Sequence, residues 1–311
     1  MLADPVNDAL RKAILWSSES TTLRSLVRRH GMRFGASRFV AGETLDEAVP
    51  ALRRLNEQGL LTNTTLLGEG VEVESETRAV ADGYCLVLDR IAHEALRTNL
   101  AVKLTHLGLD LDEDIAHENV AALATHARKL GNFVRIDMEE SRHVDATLRI
   151  YRRLRDGGID NVGFVLQAYL YRTPTDLDEL LPLRPNVRLC KGAYLEPPAV
   201  AYPEKADVDA AYVRLLERSL REAAFTAIAT HDARMIEHAI AFAAREKIPP
   251  ERFQFQMLYG VRPQLQLAIL RRGFSVLVAT PYGPDWYRYL MRRLAERPAN
   301  VGFLLRNLLR G

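Results

Sequence analysis

Polar side chains end a series of short apolar runs along this 311-residue chain. They are Lys103, Asp137, Gln167, Arg188 with Lys191, Thr230 with His231, and Gln256. A single polar residue at such a place is unremarkable, because the ends of strands commonly meet solvent. A series of them predicts a polar pocket wherever the fold brings the ends of these runs to one face.

Two lysines stand out because the basic residues of this chain are almost all arginine. Lys103 and Lys191 each follow a β-rich run, where a lysine can form a Schiff base, bind an anion or simply be exposed. A Schiff-base lysine needs a lowered pKa from burial or from a second cation, and sequence shows neither. All three roles stay open from the residues alone.

The segment RIDMEE carries a carboxylate inside a predicted strand. An unpaired carboxylate is costly there, so Asp137 should hold a cation or a hydrogen-bond donor. Lys103, on the preceding strand, is the nearest candidate. Glu139 and Glu140 follow directly and are interpreted as the acidic first turn of the next helix.

His231, in IATHD, has Asp232, Glu237 and His238 close by in sequence, which raises the question of a metal site. Barrel hydrolases that bind metals usually bring an HxH pair from the first strand, and Thr64 and Thr65 stand there instead. We therefore predict no metal. A neutral histidine that hydrogen-bonds a bound cofactor fits the position better.

Near the C-terminus, Tyr289, Arg292, Arg293 and Glu296 are spaced i, i+3, i+4 and i+7, so they share one face of a helix. Two adjacent guanidinium groups beside an aromatic ring suit bidentate capture of a carboxylate. An exposed, ion-paired surface is the alternative.

Eight β-rich runs, separated by segments of helical period, must position these side chains. The runs are Asn63 to Leu67, Leu100 to Thr105, Phe133 to Met138, Val162 to Leu166, Val187 to Lys191, Phe225 to Thr230, Phe253 to Met257 and Ser275 to Thr280. Helix starts are marked by the capping box at Thr44 to Glu47 and by Thr173-Pro174.

This alternation predicts an α/β fold, a (βα)8 barrel over residues 41–311, with N-terminal helices over residues 1–40 packing on it. A doubly wound sheet is the alternative. It would want a glycine-rich phosphate turn, and no GxGxxG or GxxxxGK[ST] sequence occurs.

Composition narrows the functional class. The chain is 48% hydrophobic and 26% charged with a net charge of +2, which excludes a disordered chain and gives no concentrated positive field for nucleic acid. Cys85 and Cys190 form no CxxC motif, so we expect two small buried hydrophobes in a reducing cytoplasm. No signal peptide or membrane-spanning run is apparent, and peripheral contact at the inner face of a membrane stays open.

Seven motifs occur in order along the chain: KLTHLGLD, RIDMEE, VLQAYLYR, VRLCKGAYLEP, IATHD, FQFQMLYG and YLMRRLAERP. With them, the sequence resembles bacterial monofunctional proline dehydrogenases from about Ala41 to the C-terminus. The resemblance implies a distorted (βα)8 barrel that holds FAD at the strand ends, with the last helix over the barrel mouth. It also implies oxidation of L-proline to Δ1-pyrroline-5-carboxylate by hydride transfer from C5 to FAD N5, the first step of proline catabolism.

The same resemblance implies roles for single residues in the substrate site. Arg292 and Arg293 match the pair that grips the substrate carboxylate, with Lys103 as a third cation that Asp137 anchors. The proline ring is walled by residues matching Tyr194, Leu258 and Tyr289, and Glu69 matches the glutamate that pairs with the first arginine and helps to close the site.

For the flavin, the resemblance implies a set of binding residues and an acceptor that takes the electrons from the reduced flavin. The binding residues are Met138, Gln167, Arg188, Lys191, Gly192, Ala193, Thr230 and His231, with Glu296 close to the cofactor. Arg188 matches an arginine near the flavin N5 edge. The implied electron acceptor is a membrane quinone, and pyrroline-5-carboxylate dehydrogenase is the implied transient partner.

Two positions depart from the family pattern. An aspartate normally precedes LLGE, and Thr65 stands there. A tyrosine normally stands near the end of the last strand, where this chain has Ala279, and relatives that act on 4-hydroxyproline carry a smaller residue. A preference for a C4-substituted proline such as trans-4-hydroxyproline therefore stays open, as do a Schiff-base lyase and a non-catalytic amino-acid-binding barrel.

Overall fold

Eight parallel strands close into a barrel in the computed structural model, which describes residues 36–68 and 71–296 without the side chains of 292 and 294–296. The strands are β1 (Leu61–Leu66), β2 (Thr98–Val102), β3 (Val134–Ile136), β4 (Val162–Gln167), β5 (Asn186–Cys190), β6 (Phe225–Ala229), β7 (Phe253–Leu258) and β8 (Val276–Tyr282). All eight predicted strands are confirmed, with ends that shift by a few residues. The closed barrel excludes the doubly wound sheet.

Strand register explains which residues meet at the barrel mouth. Closure comes from β1, which pairs with β2 on one side and with β8 on the other. Across the second pair, Asn63 lies opposite Ala279 and Thr65 lies opposite Pro281. Residues paired in parallel register point to the same side of the sheet, so the two departures from the family pattern lie close together.

Nine helices of the described residues surround or cover the barrel. They are α1 (Leu45–Glu57), α2 (Glu74–His93), α3 (Glu113–Lys129), α4 (Val144–Asp156), α5 (Thr173–Leu180), α6 (Lys205–Glu222), α7 (Ala233–Arg245), α8 (Pro263–Arg271) and α9 (Trp286–Glu296). The predicted cap of α1 is confirmed, since the backbone N of Glu47 donates to Oγ1 of Thr44 at 3.3 Å. Pro174 lies in the first turn of α5, as predicted.

The outer helix ring is completed by α1, which precedes the barrel in sequence. It contacts both β8 and β1, the place where the helix after β8 would pack in a regular barrel. Because α1 fills that place, α9 does not pack there and lies beside the strand ends instead. This arrangement differs from a regular barrel and agrees with the distorted barrel that the resemblance implied.

Two separate apolar clusters hold these layers together. The larger one joins the strands to helices α1 to α8, and fully buried Tyr84, Tyr151 and Tyr212 belong to it. The smaller one supports α9 and consists of Ala36, Phe39, Val40, Leu67, Val261, Trp286, Tyr287, Leu290 and Met291. Trp286 is fixed further by its indole N–H, which donates to Oε1 of Glu43 at 2.7 Å.

The predicted N-terminal helices fall mostly on residues 1–35, which lie outside the described residues. From Ala36 to Val40 the chain contains a short 3-10 turn, and these residues pack under α9. Arg38 lies so close to Gly260 that a Cβ at Gly260 would overlap the Arg38 carbonyl, and φ at Gly260 is +72°. The segment before the barrel thus takes part in shaping its mouth.

Cys85 and Cys190 are half-buried, so the prediction that both are buried is wrong in degree. Both pack against the edge of the larger cluster, and no disulfide joins them. Along the described ranges, no helix combines the length and the apolar character needed to cross a membrane.

Candidate active site

A cavity with two adjoining lobes opens at the carboxyl ends of the strands. The first lobe, of about 260 Å³, is lined by Asn63, Thr65, Leu67, Lys103, Asp137, Met138, Val165, Gln167, Tyr194, Thr280, Pro281 and Tyr289. The second, of about 600 Å³, is lined by Lys191, Gly192, Lys205, Thr230, His231, Asp232, Gln256, Met257 and Arg262. Both lobes touch Arg188, Cys190, Ala193, Ala229, Leu258, Ala279 and Arg293.

The cavity brings together most of the residues that the sequence predicted for the site. Those lining it are Lys103, Asp137, Met138, Gln167, Arg188, Lys191, Gly192, Ala193, Tyr194, Thr230, His231, Leu258, Ala279, Tyr289 and Arg293. Glu69 lies outside the described residues, as do the side chains of Arg292 and Glu296. The structure thus brings the fifteen residues that line the cavity to one place, and the role of each stays a prediction.

Asp137 and Arg188 form the central ion pair of the mouth. Nη1 of Arg188 donates to Oδ1 of Asp137 at 2.7 Å, and its Nε donates to Oε1 of Gln256 at 2.5 Å. Asp137 was predicted to hold Lys103, and that pairing stays a prediction. The arginine is a partner that sequence alone did not suggest, because it comes from β5, beyond the intervening β4.

Glu139 does not belong to the first turn of a helix, so that interpretation is wrong for this residue. Because β3 ends at Ile136, the following loop carries Glu139 back towards the end of β2, where it is only 6% exposed. It accepts hydrogen bonds from Thr105 N at 3.1 Å and Thr105 Oγ1 at 2.7 Å. Burial raises the pKa of its carboxyl. Glu140 is exposed and pairs with Arg142.

Gln167, at the end of β4, presents a buried acceptor to the first lobe. Its Nε2 donates to the carbonyl oxygens of Met138 and Glu139 at 3.2 and 3.0 Å. These contacts fix the amide orientation, and Oε1 is left without a hydrogen-bond partner among the described residues. Buried acceptors are normally satisfied, so this atom is suited to a donor on a bound molecule.

Lys191 is held by two carboxylates at the edge of the second lobe. Its Nζ donates to Oδ1 of Asp209 at 2.5 Å and to Oδ2 of Asp232 at 3.4 Å. Lys205 also pairs with Asp209, and Arg234 lowers the pKa of Asp232 below its usual range. With its nitrogen engaged in this way, Lys191 is poorly placed to attack a carbonyl, which weakens the Schiff-base alternative.

Asp209 was not predicted as a site residue. It lies on α6, a full strand-to-helix connection after Lys191, and its spacing from Lys205 is that of an ordinary i, i+4 surface pair. Only the fold shows that the same carboxylate also faces the end of β5.

His231 is a neutral imidazole in this arrangement. Its Nε2 accepts a hydrogen bond from the backbone N of Leu258 at 2.9 Å, so the ring proton must be on Nδ1. Nε2 is therefore engaged and cannot ligate a metal. Within the described part of the chain, no group of His, Cys, Asp and Glu has the geometry of a metal site.

The loop after β5 bends sharply at Gly192, where φ is +116°. A Cβ at this position would overlap the ring of Tyr169, so the KGAY sequence needs a glycine for two reasons. The bend directs Tyr194 to the first lobe and Lys191 to the second, and Ala193 touches both.

Helix α9 brings Tyr289 and Arg293 to the cavity. Both line the first lobe, and Cζ of Arg293 lies 5.1 Å from the centre of the Tyr289 ring. The preceding turn of the same helix carries Arg288, which is exposed. This face of α9 is thus not a uniformly solvated surface, and the guanidinium at Arg293 is directed over the mouth.

The two departures from the family pattern meet at the β1–β8 seam. Thr65 donates through Oγ1 to the carbonyl of Ala101 at 2.9 Å, so it needs no charged partner. Ala279 touches both lobes. Opposite it, Oδ1 of Asn63 is buried and has no hydrogen-bond partner among the described residues. Asn63 was not predicted, because it begins the predicted first run and the candidate residues were those at the carboxyl ends of the runs.

Comparison with known proteins gives matches over nearly the whole chain. A family model described as proline dehydrogenase matches residues 48–306. Proline dehydrogenase 1 of Bacillus subtilis strain 168 is 41% identical over 301 residues, covering 97% of this chain and 99% of the relative. Proline dehydrogenase of Deinococcus radiodurans is 38% identical over 310 residues, covering 98% and 100%.

Among solved structures, the fold resembles that of proline utilization A from Bdellovibrio bacteriovorus, crystallised after inactivation by N-propargylglycine. The TM-score is 0.79 at 22% identity, over 91% of this chain and 38% of that longer one. At this identity the likeness supports the barrel architecture alone. The family model and the nearly full-length relatives go further, and they show that this chain belongs to the proline dehydrogenase family.

Proposed function

We propose that this chain binds FAD in the two-lobed cavity and oxidises L-proline to Δ1-pyrroline-5-carboxylate, the first step of proline catabolism. The observation that carries the proposal is the placement of Arg293 and Tyr289 above a first lobe whose floor holds the Asp137–Arg188 pair. Membership of the family supports the same reaction.

The residues present fit a flavin. An isoalloxazine ring offers both donors and acceptors, and the cavity offers the buried acceptor of Gln167 together with the donors of Arg188 and Lys191. FAD would be held by Met138, Gln167, Arg188, Lys191, Gly192, Ala193, Thr230 and His231, with Glu296 nearby. When bound, FAD supplies the acceptor for the hydride that leaves C5 of the substrate.

The substrate would be held by its two ends. Arg292 and Arg293 would clamp the carboxylate, with Lys103 as a third cation, and a charge-assisted hydrogen bond of this kind contributes about 1.5 to 3 kcal/mol. Tyr194, Leu258 and Tyr289 would wall the ring, and Glu69 would pair with Arg292 as the site closes. Orientation of C5 is then the main contribution of the protein.

The substrate must lose a hydride from C5 and a proton from nitrogen to become the cyclic imine. Its amine has to be neutral when the hydride leaves, because the nitrogen lone pair forms the new C=N bond. We therefore expect the rate to rise with pH. Arg188 would stabilise negative charge that develops on the hydride acceptor, while Asp137 holds Arg188 in place.

A second candidate substrate is a C4-substituted proline such as trans-4-hydroxyproline. Ala279 leaves space where the family carries a tyrosine, and the buried Oδ1 of Asn63 faces the same seam. A hydroxyl on C4 would both occupy that space and donate to the amide oxygen. These two features favour a C4-hydroxylated substrate over the interpretation that Ala279 only weakens the packing around proline.

The electron acceptor, the cellular location and the partner enzyme are further parts of the proposed function. We propose a quinone acceptor, reached from a cytoplasmic location by peripheral contact with the membrane. Pyrroline-5-carboxylate dehydrogenase is the proposed consumer of the product, by transient contact. No part for nucleic acid is proposed.

Purification tests the proposal directly. The protein should be yellow, acid precipitation should release all of the flavin as FAD, and proline should bleach the flavin band and drive reduction of an acceptor dye. A protein that binds no flavin, or that binds proline without reducing FAD, would make the non-catalytic binding barrel the better description. Borohydride trapping of substrate on Lys103 or Lys191 would instead show the lyase.

A further inference from the structure

Two buried amides on β7 connect the active-site arginine to the opposite end of the barrel. Gln254 and Gln256 are 7% and 6% exposed and both point into the barrel interior, where aliphatic side chains normally pack. Gln256 Nε2 donates to Oε1 of Gln254 at 3.0 Å, and Gln254 Nε2 donates to Oγ of Ser275 at 2.8 Å. At its upper end, Gln256 accepts the Nε hydrogen bond of Arg188.

Arg188 fixes the orientation of both amides in this series of hydrogen bonds. An arginine only donates hydrogen bonds, so Gln256 must turn its oxygen towards Arg188 and its NH2 group downwards. Gln254 must then present its oxygen upwards and its NH2 group to Ser275. The serine hydroxyl can accept here and still donate elsewhere. Every amide therefore has one favourable orientation, which a pair of isolated glutamines would lack.

These hydrogen bonds determine which nitrogen of Arg188 can contact a bound molecule. Asp137 takes Nη1 and Gln256 takes Nε, while Nη2 has no hydrogen bond to another described residue. Arg188 lines both lobes, so Nη2 is the part of the guanidinium that can serve a bound molecule. Asp137 supplies the compensating charge, and Gln256 supplies the second point that prevents rotation of the guanidinium plane.

We propose that Gln256 is a positioning residue that aims Arg188 at the cofactor, and that Gln254 and Ser275 hold Gln256 in the orientation this requires. The inference rests on the proposed function, since Arg188 must face FAD. A guanidinium held in place favours the reduced, more negative flavin over the oxidised one. Loss of the support should therefore weaken the binding of reduced FAD more than that of oxidised FAD. The reduction potential of the bound flavin should fall as a result.

The test is a double-mutant cycle on the FAD-loaded enzyme. Gln256→Met removes the acceptor while keeping the volume, and we expect about tenfold weaker binding of reduced FAD relative to oxidised FAD. For a two-electron couple, tenfold corresponds to a potential about 30 mV lower. In an Arg188→Met background the same substitution should have no effect on the potential, because the residue acts through the arginine. Gln254→Met should give a smaller shift in the same direction.

The possible results separate the inference from the proposed function. An unchanged potential in Gln256→Met, or an equal shift with and without Arg188, would overturn the positioning role. A wild-type protein that binds no FAD would overturn the proposed function instead. Should Gln256→Met fail to fold, Gln254→Met and Ser275→Ala test the same series of hydrogen bonds two and three bonds away from Arg188. If both leave the potential of the folded enzyme unchanged, the inference is wrong.

Discussion

Asp137 accepts a 2.7 Å hydrogen bond from Nη1 of Arg188, and this contact joins the ends of β3 and β5 across β4. The pair is largely withdrawn from solvent, with 27% of the Asp137 side chain and 12% of the Arg188 side chain exposed. It therefore has two duties, since it ties strands that do not touch and it places a cation in the cavity.

Asp137→Ala should destabilise the protein, because it leaves the Arg188 guanidinium partly buried without its carboxylate. We expect a loss of about 1.5 to 3 kcal/mol in the free energy of unfolding, measured by urea denaturation of the FAD-loaded protein. Asp160→Ala is the matched control, since its pair with Arg128 is exposed and should contribute less than about 1 kcal/mol. Equal losses in the two variants would contradict the assignment.

Arg293→Lys should raise KM for proline roughly tenfold to a hundredfold, because an ammonium cannot reproduce a bidentate grip on a carboxylate. Arg292→Lys should behave in the same way. Steady-state kinetics at saturating acceptor measure both, and Arg288→Lys on the exposed part of the same helix should leave KM unchanged. If KM stays constant in the Arg292 and Arg293 variants while FAD remains bound, α9 does not bind the carboxylate.

Ala279→Tyr should shift the kcat/KM ratio towards proline and away from trans-4-hydroxyproline. The added ring fills the seam beside Asn63, and a change of this size in a pocket usually contributes about 1 to 3 kcal/mol of discrimination. One dye and one pH must serve for both substrates, since their amines differ in basicity. A ratio that does not move would show that the space at Ala279 plays no part in substrate choice.

Glu139→Gln should stabilise the protein increasingly as pH rises. Burial raises the pKa of Glu139 in the folded state, so folding takes up a proton between the unfolded and folded pKa values. The contribution of this carboxyl to stability is complete below the unfolded value, about 4.3, and is lost as pH rises through the folded value. Glutamine does not titrate and avoids that loss.

Urea denaturation at a series of pH values from 4 to 8 measures the difference between Glu139→Gln and the wild type, with exposed Glu140→Gln as the control. The difference should grow with pH for Glu139 and stay nearly flat for Glu140. Parallel curves for Glu139→Gln and the wild type would show that the carboxyl keeps its ordinary acidity.

The barrel and its mouth were predictable because each strand carries its own signal. Apolar runs of regular length give the strand count, and the polar residue after each run marks the carboxyl end. Gln167 and His231 were found in this way. Ala279 was found in a different way, because only the resemblance to the family, which carries a tyrosine at this place before the PYG turn, marked it.

Pairings between elements were not predictable in the same way. Arg188 reaches Asp137 only because the barrel curves past β4, and Lys191 reaches Asp209 only because α6 packs behind β5. Glu139 was misinterpreted because an acidic residue near a helix start usually belongs to that helix. In each case the partner is chosen by tertiary geometry that no short window of sequence contains.

Helix α9 packs on the smaller apolar cluster, which includes Phe39, Val261 and Trp286 and is separate from the barrel core. The height of Arg293 above the strand ends is thereby decoupled from the packing that keeps the barrel folded. A change of one methylene at Phe39 or Val261 would raise or lower the roof of the site without entering its walls. Residues that never meet the substrate can thus tune how large a ring the enzyme admits.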